Sequence, residues 1–341
     1  MIPVLRVEGT HREVGRAVGQ ATAETLLRAA AAPFDAVLVE RYRAIAAEHV
    51  PWVVEELEGV AEGAGADPLG VFAASIEELA GAVATTPERC TDLVVMPEAS
   101  ANGHLLVAHN NDLGAPSERD VVAIEWRVPG EPVCFTIGLG PWLSVGWNDA
   151  GLSVTGNELA PNDERVGIPR LLQMRDAVTR PSLGEAVVAV LHAARASSYN
   201  WVFAHRDGSA VNVEGSACRA AESRLENGVF AHTNHYLHPA MLDAESSPRV
   251  AGSTARYCRA QRLLAERTEP WTVESLREAL SDHENAPDSL CRHGDAEGTK
   301  TVFWCVADVT AGVICYGLGA PCCSSQPQRY ELGYRGGARS S

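Results

Sequence analysis

The sequence has no long apolar run and no cluster of basic residues. No apolar stretch reaches the roughly 18 residues of a membrane span. The first residues lack the basic segment and apolar run that a secretory signal needs. The formal net charge is -16 at pH 7, so no basic surface is available to neutralise phosphates. We therefore expect a cytoplasmic protein that binds neither nucleic acid nor a membrane.

The cysteines of the chain do not have the number or spacing of a disulfide framework. Nine cysteines, an odd number, are scattered over 341 residues, which predicts mostly reduced thiols. Cysteines inside helix or strand patterns are expected to be buried as small hydrophobic residues. These are Cys134, Cys218, Cys258, Cys305 and Cys315.

Paired metal-ligand spacing is absent as well. Cys291 with His293, and the adjacent Cys322 and Cys323, do not have the spacing of a zinc site. Three histidines at intervals of three, His232, His235 and His238, fall in a strand-to-loop segment that does not hold this spacing on one face. We therefore expect no metal and no cofactor.

The predicted secondary structure changes from helical to strand-like at Cys90. The first 85 residues are mainly helical in pattern, with one long helical stretch over 11–49 and further helices that begin at Pro51 and at Pro68 after Asp67. In the first stretch Val14, Val18 and Ala21 are expected on one buried face.

After residue 90 the sequence alternates strand and helix patterns. Short β-prone runs such as "TDLVV", "HLLVA", "VVAIEWRV", "PVCFTIGL" and "NWVFAH" surround helix patterns at 169–178, 182–196, 253–266 and 272–283. In the first helix pair Leu171, Leu172, Val187, Val188 and Leu191 are expected to face a core. This order predicts an α+β fold with sheets covered by helices.

Cys90 is a candidate nucleophile because of its neighbours. A hairpin with Asn102-Gly103 at its turn brings "HNND" beside it, where Asp112 is placed to orient or deprotonate an N-terminal amine. Such a cysteine needs a thiolate, a base and donors for the oxyanion. The alternative is a buried structural thiol.

Five motifs resemble one family in order and spacing over nearly the whole chain. They are "VEGTHREVGRAVG", "CTDLVV" with "GHLLVAHNND", "HTNHYLHP", "STARYCR" and "LSDHENAPDSLCRH". Together they resemble the acyl-coenzyme A:6-aminopenicillanic acid acyltransferase family, a peptidase C45-like branch of the N-terminal nucleophile hydrolases. The resemblance implies a four-layer αββα sandwich and a zymogen that cleaves itself before a cysteine.

The implied cleavage falls between Arg89 and Cys90. It divides the chain into a helical segment 1–89, a catalytic domain 90–335 and a loose tail 336–341, with the two cleaved chains still associated. An ordinary cysteine has no base in its backbone, whereas a new N-terminus carries an α-amine with a pKa of about 8. Cleavage would therefore create nucleophile and base together.

The same resemblance assigns roles to single residues. Asp112 matches the carboxylate that contacts the N-terminal amine, with a turn cap as the alternative; Asn234 matches the oxyanion donor, with a turn-forming asparagine as the alternative. Arg256, accompanied by Ser253, resembles the arginine that supports the carboxylate, with a surface helix position as the alternative. Asn157 resembles a second asparagine near the nucleophile of bile-salt and penicillin hydrolases.

Substrate contacts are expected from Thr91, His109, Asn111 and His235. Two positions depart from the family pattern. Arg89 stands where the acyltransferase has glycine, so we expect slower self-cleavage. His109 stands where related hydrolases have arginine, so the thiolate is expected to have a different electrostatic support.

The sequence leaves the acyl acceptor open. With an amine as acceptor the protein is an N-acyltransferase, and with water it is an amidohydrolase. In either case we expect it to act in secondary metabolism on a small molecule such as a β-lactam, an N-acyl amino acid or an acyl amine. Acyl-coenzyme A is one candidate donor. The alternatives are a hydrolase of β-alanyl or other short-peptide amides, and an unprocessed binding protein of the same fold.

Overall fold

The computed structural model describes residues 1–80, 89–246, 250–294, 298–324 and 326–335. The expected tail 336–341, and residues 81–88 just before the expected cleavage site, lie outside the described residues. The helices are α1 His11–Ala21, α2 Ala23–Ala30, α3 Ala36–His49, α4 Pro51–Ala64, α5 Pro68–Ala74, α6 Glu77–Ala80, α7 Arg170–Val178, α8 Leu183–Val190, α9 Ala251–Glu266 and α10 Val273–Leu280.

Two sheets are formed by strands from along the whole chain. The strands are β1 Val4–Glu8, β2 Arg89–Val95, β3 Leu106–Gly114, β4 Val121–Arg127, β5 Cys134–Leu139, β6 Trp142–Asn148, β7 Leu152–Asn157, β8 Asn200–His205, β9 Ala210–Gly215, β10 Ala220–Leu225, β11 Val229–His232, β12 Thr299–Asp308, β13 Val313–Leu318 and β14 Gln328–Glu331. One sheet has the order β1-β4-β5-β6-β7-β8-β9-β10 and the other the order β11-β2-β3-β12-β13-β14.

Three of the buried apolar clusters separate four layers. One core lies between the eight-stranded sheet and helices that include α1, α4, α7 and α8. A second lies between the two sheets, and a third lies between the six-stranded sheet and helices α9 and α10. This confirms the αββα sandwich predicted from the resemblance.

Close glycine packing joins the first helix to the fourth. A Thr10–Glu13 capping box begins α1, and Val14 and Val18 are fully buried. A Cβ on Gly15 would lie 2.1 Å from the carbonyl oxygen of Glu56, so only glycine fits there. Ala21, expected on the buried face, is exposed.

The first segment is not separate from the sandwich. Strand β1, missed in the sequence, pairs in parallel with β4. The buried Glu56 of α4 accepts two hydrogen bonds, of 2.7 and 2.8 Å, from Arg175 of α7. The segment before the expected cleavage therefore supplies a strand and a buried ion pair to the body of the protein.

Several local predictions were wrong. The helical stretch 11–49 is three helices, and the helix expected over 182–196 ends at Val190. Val188 is 72% exposed, because α8 is short and uses Ala186 and Val190 for its contact with the core. In the described residues no helix is both long and apolar enough to cross a membrane.

All nine cysteines are free thiols, but not all that were expected to be buried are buried. Cys134 and Cys305 lie in the core. Cys218 and Cys258 are exposed, and Cys315 is partly exposed. Cys258 lies on α9 facing solvent, and Cys218 lies in the β9–β10 turn, where no core contact is available.

Candidate active site

The candidate site is built on the hairpin of β2 and β3. These strands pair antiparallel, with Cys90 opposite Asn111 and Asp92 opposite His109. Because successive strand residues point to opposite faces, these four side chains share the face toward the other sheet. Asn110 and Asp112 point to the opposite face, toward the α9 and α10 layer.

Cys90 lies at the wall of a cavity of about 170 Å³. The thiol is buried, and Asn111 Nδ2 is 3.7 Å from its Sγ. Both sheets contribute to the cavity, whose apolar lining includes Leu113, Leu139, Trp142, Leu143, Leu171 and Met174. Its polar lining includes Glu77, Glu158 and Tyr199. The cavity therefore places an apolar surface beside a thiol.

Asn234 and Arg256 hold the main chain of Cys90. The Cys90 N–H donates to Asn234 Oδ1 at 2.8 Å. The guanidinium of Arg256, which is fully buried on α9, donates from Nη2 to the same oxygen at 2.5 Å and to the Cys90 carbonyl at 3.4 Å. Two donors thus fix the oxygen of the Asn234 amide. Its nitrogen faces the cavity side and donates to the carbonyl of Glu158 at 3.1 Å.

Asp112 is a buried carboxylic acid close to the start of β2. It pairs with Arg89 in the strand register, and its Oδ1 accepts a 2.7 Å hydrogen bond from Thr301. Burial raises the pKa of Asp112 to about 6, against the opposing effects of Arg256, of the Thr301 hydrogen bond and of Arg292. In the described residues its Oδ2 has no hydrogen-bond partner.

His109 and Asp92 form a buried pair behind Asn111. His109 Nδ1 is 2.8 Å from Asp92 Oδ1, and both side chains are fully buried. The other ring nitrogen of His109, Nε2, is 3.4 Å from Asn111 Nδ2. A polar chain therefore runs from the Cys90 thiol through Asn111 to His109 and Asp92.

The side-chain contacts of three of the proposed site residues go to groups other than the thiol. Asn157 Oδ1 is 3.0 Å from His232 Nδ1, which links the two sheets, and 3.2 Å from Asn200 Nδ2 on the neighbouring strand of its own sheet. Thr91 is buried on the helix face of β2, opposite to Cys90. His235 lies against Ser253 Oγ at 2.7 Å, and burial lowers its pKa to about 4.

The sequence reasoning missed Asp92 and Thr301. Strand alternation from Cys90 already places Asp92 on the same face, so this residue could have been found. Thr301 comes from β12, almost 200 residues away in sequence, and only the sheet order brings it to Asp112. The cavity-lining residues from α7 and β6 have no motif of their own.

The sequence profile of one family matches most of the chain. It is the acyl-coenzyme A:6-aminopenicillanic acid acyl-transferase family, and the match spans residues 101–322. The chain belongs to this acyltransferase family. The matched residues include Asp112, Asn234 and Arg256 and begin after Cys90. No curated protein sequence gives a significant match.

Solved structures share the fold of this acyltransferase-family chain at low sequence identity. A variant of the conjugated bile acid hydrolase from Clostridium perfringens has a TM-score of 0.52 and 12% identity, over 71% of this chain and 92% of that one. The ortholog of N-acylethanolamine-hydrolyzing acid amidase from Caenorhabditis elegans has a TM-score of 0.46 and 16% identity, over 65% and 93%. The fold is that of the N-terminal nucleophile hydrolases.

Proposed function

We propose that this acyltransferase-family chain is a self-processing enzyme whose nucleophile is Cys90 and whose substrate is a small acylated molecule. The observation that carries the proposal is the position of Cys90. Its thiol faces the cavity between the sheets, while Asn234 and Arg256 hold its backbone.

The processing step is an acyl shift followed by hydrolysis. The Cys90 thiol loses its proton and attacks the Arg89 carbonyl carbon, and the Arg89–Cys90 C–N bond breaks as the nitrogen takes up a proton. The product is a thioester between Arg89 and the Cys90 sulfur. Water then cleaves it and leaves a carboxylate on Arg89, a free thiol and a free α-amine on Cys90.

The mature site would use the same thiol on substrate. The α-amine of Cys90 takes the thiol proton, the sulfur attacks the acyl carbonyl, and the amine returns the proton to the leaving group. Asp112 holds the protonated amine, and the Asn234 amide nitrogen is the proposed donor to the oxyanion. Asn111, fixed by His109 and Asp92, supports the thiolate in place of the arginine of related hydrolases.

The cavity favours a short apolar acyl group. Its volume of about 170 Å³ is below the roughly 300–1,000 Å³ of pockets that enclose drug-sized ligands. Leucine, methionine and tryptophan side chains line this cavity together with Cys90. The acyl part of the substrate would enter here, and the acceptor, an amine or water, would approach from the polar part near Glu158.

The two products of processing would remain together. Strand β1 is hydrogen-bonded to β4, and Glu56 shares a buried ion pair with Arg175. His11 of α1 also lies 2.9 Å from Glu131, and its two carboxylate neighbours raise its pKa to about 9. Removal of the first chain would leave the charge of Arg175 buried and unpaired, which is costly.

Intact mass tests the processing step. The wild-type chain should give two fragments that meet between residues 89 and 90, whereas Cys90→Ala should give one uncut chain. Cys258→Ala, which removes an exposed thiol, is the matched control and should be cut normally. Fragments from Cys90→Ala would show that another group cleaves the bond. An uncut wild-type chain whose Cys90 does not react with thiol reagents would indicate a binding protein instead.

Product analysis tests the acyl transfer. Processed protein is incubated with N-acyl amines of increasing chain length, short peptides and acyl-coenzyme A, each with and without an amine acceptor. We expect turnover to be highest for short apolar acyl groups and to require Cys90. Turnover of the amides alone, or of the thioester alone, identifies the acyl donor. Activity that survives Cys90→Ala would contradict the proposal.

A further inference from the structure

Three side chains that were set aside in the sequence for lack of spacing, Cys291, His293 and Cys322, meet His283 at one surface point. His283 follows α10, Cys291 and His293 lie in the segment before β12, and Cys322 lies in the turn after β13. Their ligand atoms all lie within 4.8 Å of one another. We name these four residues the thiol–imidazole cluster.

Four of the six distances between ligand atoms in the cluster are close to the edges of a small tetrahedron. Zinc bonds of about 2.3 Å to sulfur and about 2.05 Å to nitrogen give edges of about 3.8 Å between sulfurs, about 3.6 Å between sulfur and nitrogen, and about 3.3 Å between nitrogens. The two sulfurs are 3.5 Å apart. The Nε2 atom of His293 is 3.8 and 3.3 Å from them and 2.9 Å from that of His283.

We propose that the thiol–imidazole cluster is a tetrahedral, structural Zn²⁺ site. Two thiolates and two imidazoles are ligands that select zinc over Mg²⁺ or Ca²⁺, which prefer oxygen. Four ligands from the protein fill the coordination sphere, as in structural rather than catalytic zinc sites. His283, His293 and Cys322 are exposed, so an ion reaches the site directly from solvent.

The site would fix a segment that ends beside the candidate active site. Arg292 lies between the two ligands Cys291 and His293, and its N–H donates to Thr301 Oγ1 at 3.0 Å. The same hydroxyl donates to Asp112 at 2.7 Å. A metal at the cluster would therefore hold the backbone that positions Thr301 against Asp112. The ion itself lies outside the cavity that Cys90 lines.

The neighbouring cysteines 322 and 323 provide a matched pair for the test. Untagged wild-type chain, Cys322→Ser and Cys323→Ser are stripped with a chelator under reducing, oxygen-free conditions and titrated with Zn²⁺ or Co²⁺ alone. Wild type and Cys323→Ser should bind roughly one ion per chain and show the visible bands of tetrahedral Co²⁺ with thiolate ligands. Cys322→Ser should lose at least about 10-fold in affinity.

Thermal unfolding gives a second readout that does not depend on catalysis. Zn²⁺ should raise the melting temperature of wild type and Cys323→Ser, because an ion that binds only the folded chain stabilises it. It should not do so for Cys322→Ser or for the exposed His283→Gln. Equal binding by Cys322→Ser and Cys323→Ser would overturn the proposal. So would a Cys291–Cys322 disulfide that persists in reductant, found by peptide mass.

Discussion

The burial of Asp112 should make the stability of the uncut chain depend on pH in a defined direction. Its pKa is about 6 in the folded chain and about 3.9 in an unfolded one. Between these values the folded chain keeps the proton and the unfolded chain has lost it. The contribution of Asp112 to the free energy of unfolding is therefore fully present below about pH 4, falls as the pH rises toward 6, and stays lower above pH 6. The total loss is about 3 kcal/mol.

Replacing Asp112 by asparagine should remove this dependence. The comparison is made in a Cys90→Ala background, so that every protein keeps the uncut chain. Arg256 stays protonated over this range, and its attraction to the Asp112 carboxylate is already contained in the folded-state pKa of about 6, so it adds no further pH dependence. From about pH 4.5 to about pH 7.5, Asp112→Asn should gain about 2 kcal/mol of unfolding free energy relative to its parent.

Urea unfolding at several pH values, followed by tryptophan fluorescence, measures this difference. Asp243→Asn, at an exposed position, controls for the change in net charge. A difference between parent and variant that stays within about 0.5 kcal/mol over this range would refute the reasoning, since Arg256 would then offset the desolvation of the carboxylate in full. In the Cys90 chain, Asp112→Asn should also slow turnover by about 100-fold.

Two further predictions use matched pairs of neighbouring or equivalent residues. Asn111→Ala should lower kcat/KM at least about 10-fold with little change in stability. Asn110→Ala loses hydrogen bonds to two backbone carbonyls on the other face of β3 and should lower the free energy of unfolding in urea by about 1–3 kcal/mol. The reverse pattern would show that the two residues were assigned to the wrong faces of the strand. Gly15→Ala should lower the free energy of unfolding by about 1–3 kcal/mol, because the added Cβ meets the Glu56 backbone. Gly184→Ala has open space around the added Cβ and should not destabilise the chain. Equal melting temperatures of the two variants would contradict the close packing of α1 against α4.

The hydrophobic pattern of the sequence predicted the strands that are rich in apolar residues. The runs that form β2, β3, β4, β5 and β8 were each visible in the sequence. The polar edge strand β10, with the sequence AAESRL, has no apolar alternation and was missed. Strand β1 was hidden in a helical region, because its identity depends on pairing with β4, more than 100 residues later.

The structure gives contacts for the residues that the resemblance named, while their roles in catalysis stay predictions. Asn234 and Arg256 do reach Cys90, but through its backbone rather than through the thiol. Thr91 follows Cys90 in sequence and therefore faces the other side of the sheet. The thiol–imidazole cluster was invisible because its ligands come from three segments that only the fold brings together.

The alternation of β3 explains why a cleavage at Cys90 would complete a site rather than damage one. The strand presents His109 and Asn111 to the face where the thiol lies and Asp112 to the opposite face, beside the Arg89 pairing position. In the uncut chain the nitrogen of Cys90 is an amide that donates to Asn234, and Asp112 Oδ2 has no partner among the described residues. We propose that a free amine at that nitrogen, with more donors and a positive charge, keeps its contact with Asn234 and also binds the Asp112 carboxylate. The group that Asp112 is positioned to bind would thus come into existence only when the bond before Cys90 breaks.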